Sequence, residues 1–321
     1  MDIPRRALLT APILLPAARA RAQGWAPTQP VRFVVTFAAG GSADLLARRL
    51  AGPLSALLGQ PVVVDNRPGA GGNVGLEAVS RAAPDGHTVG MGAPGPLAIN
   101  PALPGLRMPF DAARDLTPVI LLAEQANVLL THPAVPALPD GAFRAWLRAH
   151  PEEPFGSPGA GTSNHLAGLG FGRAFGARLV HVPYRGSAPA HTDLLAGTIR
   201  LMVDNIATAL PFVRDGRMRA ACVSTAARSP FLPDVPALGE LGAPPLASWQ
   251  AMVAPAGLPA PVLARLNAAF AGALDDPGVA DWLRDAGATK LGGSAEDAAR
   301  FLATERPRWA QVVRENDLRS E

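Results

Sequence analysis

The strongest hydrophobic pattern near the start of the chain is the run at residues 31–37. Val31, Phe33, Val34, Val35 and Phe37 leave almost no polar alternation. A β-branched and aromatic run of this kind predicts a strand covered on both faces, as in a parallel sheet. It ends in Ala38-Ala39-Gly40-Gly41-Ser42. Leu45, Leu46, Leu50, Leu54, Leu57 and Leu58 then recur at helical spacing. Pro53, preceded by Gly52, is expected to kink or split that helix. Residues 62–64 predict a second strand, 68–73 a Gly-rich loop, 74–83 a helix, and Pro84-Asp85-Gly86 a turn into a strand at 88–91. Strand, loop and helix alternating in this way predict an open α/β sheet.

A second set of such units follows. Strands are expected at 128–131, 179–182, 201–203, 220–224 and 249–253, a short strand turning into a Gly-rich loop at 155–162, and helices at 142–149, 163–175, 188–196 and 209–213. The tail reads as four helices, at 261–274, 279–286, 295–303 and 306–315. With crossings at 128–131 and 249–253, the chain divides into two lobes. Residues 23–126 plus 253–321 form a discontinuous first lobe and 127–252 a second one inserted into it. Two crossing segments make a hinge, and the cleft between α/β lobes is where such sheets present ligand sites.

Composition narrows the function. Hydrophobic residues make up 48% of the 321 and charged residues 17%, ample for two cores and inconsistent with a disordered chain. No apolar run reaches the roughly 20 residues that span a bilayer. The net charge of +3 comes from the first 22 residues, where Arg5, Arg6, Arg19 and Arg21 face only Asp2; the remainder is neutral. No basic patch interleaved with aromatics points to nucleic acid. Residues 1–22 read as a secretory signal peptide: a charged start at Arg5-Arg6, an apolar stretch at 7–18, and small residues at Ala20 and Ala22. The arginine pair suits a Sec or a twin-arginine signal. The lone Cys222 forms no internal disulfide, which fits the periplasm better than a disulfide-dense secreted scaffold.

Two loops could carry chemistry. Gly40-Gly41-Ser42-Ala43-Asp44 and Gly156-Ser157-Pro158-Gly159-Ala160-Gly161-Thr162-Ser163 each place glycines and hydroxyls before a helix. The first N–H groups of a helix lack intrahelical acceptors and carry positive partial charge, so each loop is either an anion cradle or a simple cap. Their occurrence in opposite chain halves favours one anion held between them. The third Gly-rich stretch, residues 69–75, misses dinucleotide-motif spacing because Val74 stands where a third glycine is needed. It reads as a cleft-lining loop or a turn. No phosphate loop, zinc motif or nucleophile elbow is present, and no cofactor or metal is expected. Ser157 with His165 is the one pair a hydrolase could use.

Several segments together resemble one family: residues 37–44 with Ala47-Arg48, residues 59–72, Ala83-Pro84-Asp85-Gly86-His87-Thr88, residues 156–162, His181-Val182-Pro183-Tyr184-Arg185-Gly186, residues 228–236 and residues 249–257. In this order they are similar to the Bug (TctC-like) extracytoplasmic receptors, the substrate-binding component of tripartite tricarboxylate transporters. The resemblance implies a type II periplasmic-binding fold with a central ligand cleft, no enzymatic activity, and a small carboxylate ligand: a di- or tricarboxylate, an acidic amino acid or an aromatic acid. It places Ala38, Gly40, Gly41, Ser42 and Asp44 on one lobe and Ser157, Gly159, Thr162, Ser163 and His165 on the other. Asp204 matches a position in the cleft wall, and Asn205 is added as its neighbour. Asp44 is assigned to loop hydrogen bonding or to an amino group on the ligand. The implied partners are membrane permease subunits, or a membrane histidine kinase if the receptor signals; the chain is expected to act as a monomer. It departs from the family pattern at Pro53 and in Ala93-Pro94-Gly95-Pro96, a Pro-rich segment expected to face the cleft.

Overall fold

The computed structural model describes residues 25–136, 141–316 and 318. The expected signal peptide lies outside them. Two sheets divide the chain. The first has six strands: β1 (Val31–Val35), β2 (Val62–Asn66), β3 (Thr88–Gly92), β4 (Leu116–Gln125), β10 (Ser248–Pro255) and β11 (Ala288–Gly292), in the order β11-β4-β10-β3-β1-β2. The second has five: β5 (Asn127–Thr131), β6 (Pro154–Ser157), β7 (Val180–Pro183), β8 (Leu201–Asn205) and β9 (Arg219–Val223), in the order β7-β6-β8-β5-β9. In the first sheet β1 is parallel to β2 and β3, while β10 is antiparallel to β3 and β4.

Ala126 alone separates β4 in one sheet from β5 in the other, so the first crossing is a single residue. The return differs from the expected division at 252/253. Ser248 through Pro255 pairs along its length with β4, which puts 248–252 with the first lobe and the return before Ser248.

Both faces of the first sheet are covered. Val31, Phe33 and Val35 of β1 pack with Leu46, Leu50, Leu54 and Leu58 of helix α1 (Ser42–Leu58) and with Leu266, Phe270 and Leu274 of α7 (Ala260–Leu274). Val34 faces the other way, towards Leu76 and Val79 of α2 (Asn73–Ser80). That is the two-sided burial expected of an apolar parallel strand.

Two helices differ from expectation. Helix α1 runs unbroken through Pro53, and a single helix α9 (Ala295–Glu315), which contains Pro307, replaces the two expected at 295–303 and 306–315. Both prolines are accommodated in the same way. The residues four before them, Arg49 and Ala303, are exposed. Water can take the carbonyls that the prolines leave without helical donors, while buried Leu50 and Leu54, or Leu302 and Trp309, hold the other face. Strands β4 and β11 were not anticipated. Pro118 reads against a strand, but it sits at a register shift opposite Val253, where a ladder tolerates a missing donor.

The remaining helices are α3 (Ala142–Ala149), α4 (Ser163–Phe175), α5 (Ser187–Ala196), α6 (Ile206–Arg214) and α8 (Pro277–Asp285). Helix α9 anchors the return segment. Buried Glu305 accepts the indole N–H of Trp249 at 2.7 Å and of Trp309 at 2.8 Å, and Arg308 donates to Glu305 and to the Pro245 carbonyl. Removing that carboxylate strands two buried donors. Each costs about 1–3 kcal/mol when unsatisfied, so Glu305→Ala should destabilise the fold by roughly 2–6 kcal/mol in urea unfolding, and a loss under 1 kcal/mol would contradict this role.

Candidate functional site

Helix α1 starts where the chain leaves β1. Gly40 has a positive φ of 81°, a turn conformation open to glycine, and Gly41 then caps the helix through its backbone alone. Asp44 clamps the loop from within the first turn. Its carboxylate accepts the Gly40 N–H at 2.9 Å, Asn66 Nδ2 at 2.9 Å and Arg48 Nε at 3.0 Å. Burial works to raise its pKa, but the hydrogen bonds from Arg48, Gly40 and Asn66 outweigh it and hold the carboxyl below the usual range. Asp44 therefore fills the loop-bonding role.

Three more helix starts converge on the same point from the second lobe. Thr162 caps α4, accepting the His165 N–H at 3.2 Å while donating to the Gly159 carbonyl at 2.7 Å. Gly186, with φ 114°, precedes α5, and the Ser187 hydroxyl donates to buried Asp204 at 2.9 Å. Asn205 ends β8 and caps α6. The lobes meet at Ser42, whose Oγ donates to Asn205 Oδ1 at 3.0 Å and accepts from Gln125 Nε2 at 3.2 Å.

The cleft holds two joined spaces. The inner chamber is about 30 Å³, with Ser42, Ala43, Ser163, Asn164, Ser187 and Asn205 among its walls, and Ala93, Gly95, Ser248 and Gln250 closing it. No Lys, Arg or His lines it among the described residues. Its positive character comes from helix N-termini and its hydrogen bonding from peptide N–H groups, hydroxyls and amides. The outer chamber, about 580 Å³, lies between residues 68–73 with Leu103 and Leu106 on one lobe and residues 158–161 and 183–186 on the other. Phe37, Ala38, Pro158 and Gly186 border both.

Glycines let the lobes come into close contact. A Cβ on Gly71 would lie 2.5 Å from the Ala160 carbonyl oxygen, one on Gly95 3.0 Å from that of Gly161, and one on Gly186 2.9 Å from the Ala38 Cβ. The Gly-rich stretch at 69–75 thus lines the cleft.

Of the residues named from sequence, Ala38, Gly41, Ser42, Thr162, Ser163 and Asn205 line the inner chamber, and Gly159 and His165 the outer one. Gly40 and Asp44 shape the first loop from behind, and Asp204 holds Ser187 and Thr208 behind the wall. Ser157 lines neither chamber. It is wholly buried, bonded to His181 Nε2 at 2.7 Å and to Gly159. The Ser157–His165 hydrolase pair is therefore not assembled: His165 stacks on His181 with ring centroids 3.7 Å apart and accepts the Gly161 N–H through Nδ1. Sequence reasoning missed Asn164, Gly186, Ser187, Ser248 and Gln250. Gly186-Ser187 repeats the Gly41-Ser42 pair before a helix and was a readable signal. Ser248 and Gln250 sit in a strand and carry none.

The sequence pattern of the tripartite tricarboxylate transporter family receptor matches residues 46–318. The chain belongs to that receptor family. BugT of Bordetella pertussis (strain Tohama I) is 36% identical over 294 residues, 90% of this chain and 90% of BugT. The solved structure of R. palustris Rpa4515 with adipate is 36% identical with a TM-score of 0.85, covering 91% of this chain and 99% of that one. MatC from Rhodopseudomonas palustris with bound malate is 34% identical with a TM-score of 0.81, covering 89% and 99%. The receptor has their two-lobed, type II periplasmic-binding fold, and the family is one of periplasmic solute-binding proteins rather than enzymes. Among the described residues no helix is long and apolar enough to cross a membrane.

Two outcomes follow for the receptor. Gly71→Ala should hold the lobes apart and raise the radius of gyration in small-angle scattering. Its unfolding free energy should fall by no more than the about 1–2 kcal/mol of a left-handed alanine; an unchanged radius would refute the contact. Burial lowers the His165 pKa to about 4, and burial with the neighbouring His165 lowers that of His181 to about 3. An unfolded histidine titrates near 6.5, so on acidification the unfolded state takes up protons first. Stability is full above about pH 6.5 and declines towards pH 4, whereas Asp44 weakens only below about pH 4. Melting temperatures between pH 7 and 4.5 should show this decline, and replacing both rings with Asn should flatten it.

Proposed function

We propose that the receptor captures a small carboxylate in the periplasm and presents it to the permease of a tripartite transporter. The observation that carries this reading is the inner chamber: helix starts from both lobes face one small space without a cationic side chain. A carboxylate satisfies helix-start N–H groups there without the desolvation of a buried arginine. The adipate of Rpa4515 and the malate of MatC, in relatives above 30% identity, support the ligand class. In this reading the carboxylate meets Ser42 and its helix start on one lobe and Thr162, Ser163, Ser187 and Asn205 on the other. Ala38, Gly40, Gly41, Asp44, Ser157, Gly159, His165 and Asp204 shape the loops around it. Residues 1–22 direct export and are removed.

The test is a thermal-shift and calorimetric screen of the chain without residues 1–22 against mono-, di- and tricarboxylic acids. A bound acid at a hundredfold excess over its dissociation constant should stabilise the protein by about 2.7 kcal/mol. Absence of a shift with every acid would overturn the reading.

A further inference from the structure

We infer that the ligand is a dicarboxylate with an apolar body of six or more carbons, or a ring, whose far end reaches Arg185; this rests on the carboxylate reading above. The inner chamber sets the first constraint. At about 30 Å³ it holds one carboxylate group, or a water or two, and not a whole four-carbon acid. The rest of any acid must leave by the neck between Phe37 and Ala38 on one lobe and Pro158 and Gly186 on the other.

The neck sets the second. Its side chains are an aromatic ring, a methyl group and a pyrrolidine, with none on Gly186, so no side chain there donates a hydrogen bond. The second carboxylate of a four-carbon acid would lie in this neck without a side-chain donor, which disfavours it. Methylene or ring carbons suit it.

The outer chamber supplies what a longer ligand needs. At about 580 Å³ it lies within the range of sites that bury most of a ligand. Pro68, Leu103 and Leu106 oppose Pro183 and Tyr184 across it. The Tyr184 hydroxyl is already engaged by Asp193 at 2.8 Å, which leaves the ring as an apolar wall. His165 also borders the chamber, but burial keeps it uncharged near neutrality. Arg185 is the one arginine or lysine among the lining residues; it is exposed at the rim and has no ion pair among the described residues. A second carboxylate arriving there meets a guanidinium in a partly solvated setting.

The experiment is titration calorimetry of the receptor with adipate, hexanoate and malate, repeated on Arg185→Ala after circular dichroism confirms its fold. Adipate should bind at least tenfold tighter than malate. Arg185→Ala should weaken adipate about tenfold, which is ~1.4 kcal/mol, and leave hexanoate within twofold. Malate binding as tightly as adipate would overturn the inference and leave the carboxylate reading standing. So would an Arg185→Ala variant that weakens neither acid, or both alike. If none of the three acids binds but another carboxylate stabilises the protein in the wider screen, only this inference fails. If no carboxylate does, both fail together.

Discussion

The side-chain amide of Asn127 is the point on which the two-lobed arrangement turns. It lies one residue past the single-residue crossing at Ala126 and is fully buried. Its Nδ2 donates to the Leu246 carbonyl at 2.5 Å, on the returning strand of chain. Its Oδ1 accepts from Asn164 at 2.9 Å and Asn205 at 3.2 Å, the starts of two helices that face the cleft. Its backbone N–H donates to Ser224. One amide thus fixes the spacing between both crossings and the second-lobe half of the inner chamber. Asn205 passes that position on to Ser42 of the first lobe. A buried network of this kind is rigid when every member is satisfied and costly when one is lost.

The inner chamber beside this crossing is faced by helix starts and has no charged side chain among the described residues that line it. Helix starts contribute partial charge and peptide donors at fixed positions, and no long side chain has to be ordered or desolvated when the ligand enters. Such a design needs the backbone to come close. Gly71 and Gly95 allow the lobes to meet at main-chain distance, and Gly161 and Gly186 make room for the side chains of Asn100 and Ala38. The glycine-rich stretches therefore serve the close contact of one lobe with the other. The walls beyond the inner chamber, from residues 68–73, Leu103, Leu106 and residues 183–186, differ more in shape and polarity.

Much of this was legible in the chain. The apolar run at 31–37, the leucine spacing of α1 and the Gly-Ser loops report local physics, because strand burial, helix periodicity and helix-start donors depend on near neighbours. Family motifs in order supplied the two-lobed fold. The misreadings share one cause. Pro53 predicts a break and the tail two separate helices, yet Pro53 and Pro307 lie on solvent-facing turns whose opposite faces are packed. Strand β4 carries Pro118 and polar ends, and β11 holds exposed Thr289 and Lys290; each is a strand because a partner edge was available to it.

The amino-acid sequence by itself determined most element types, the two Gly/Ser-rich helix starts and the class of receptor. Each depends on hydrophobic period, capping and glycine, which act over a few residues. Only the tertiary structure decided that Ser248 belongs to the first lobe, that Ser187 and Gln250 join the chamber, and that Ser157 turns to His181 instead of His165. Those outcomes depend on which distant segments pack side by side, and contacts between residues far apart in the chain leave no periodic trace along it.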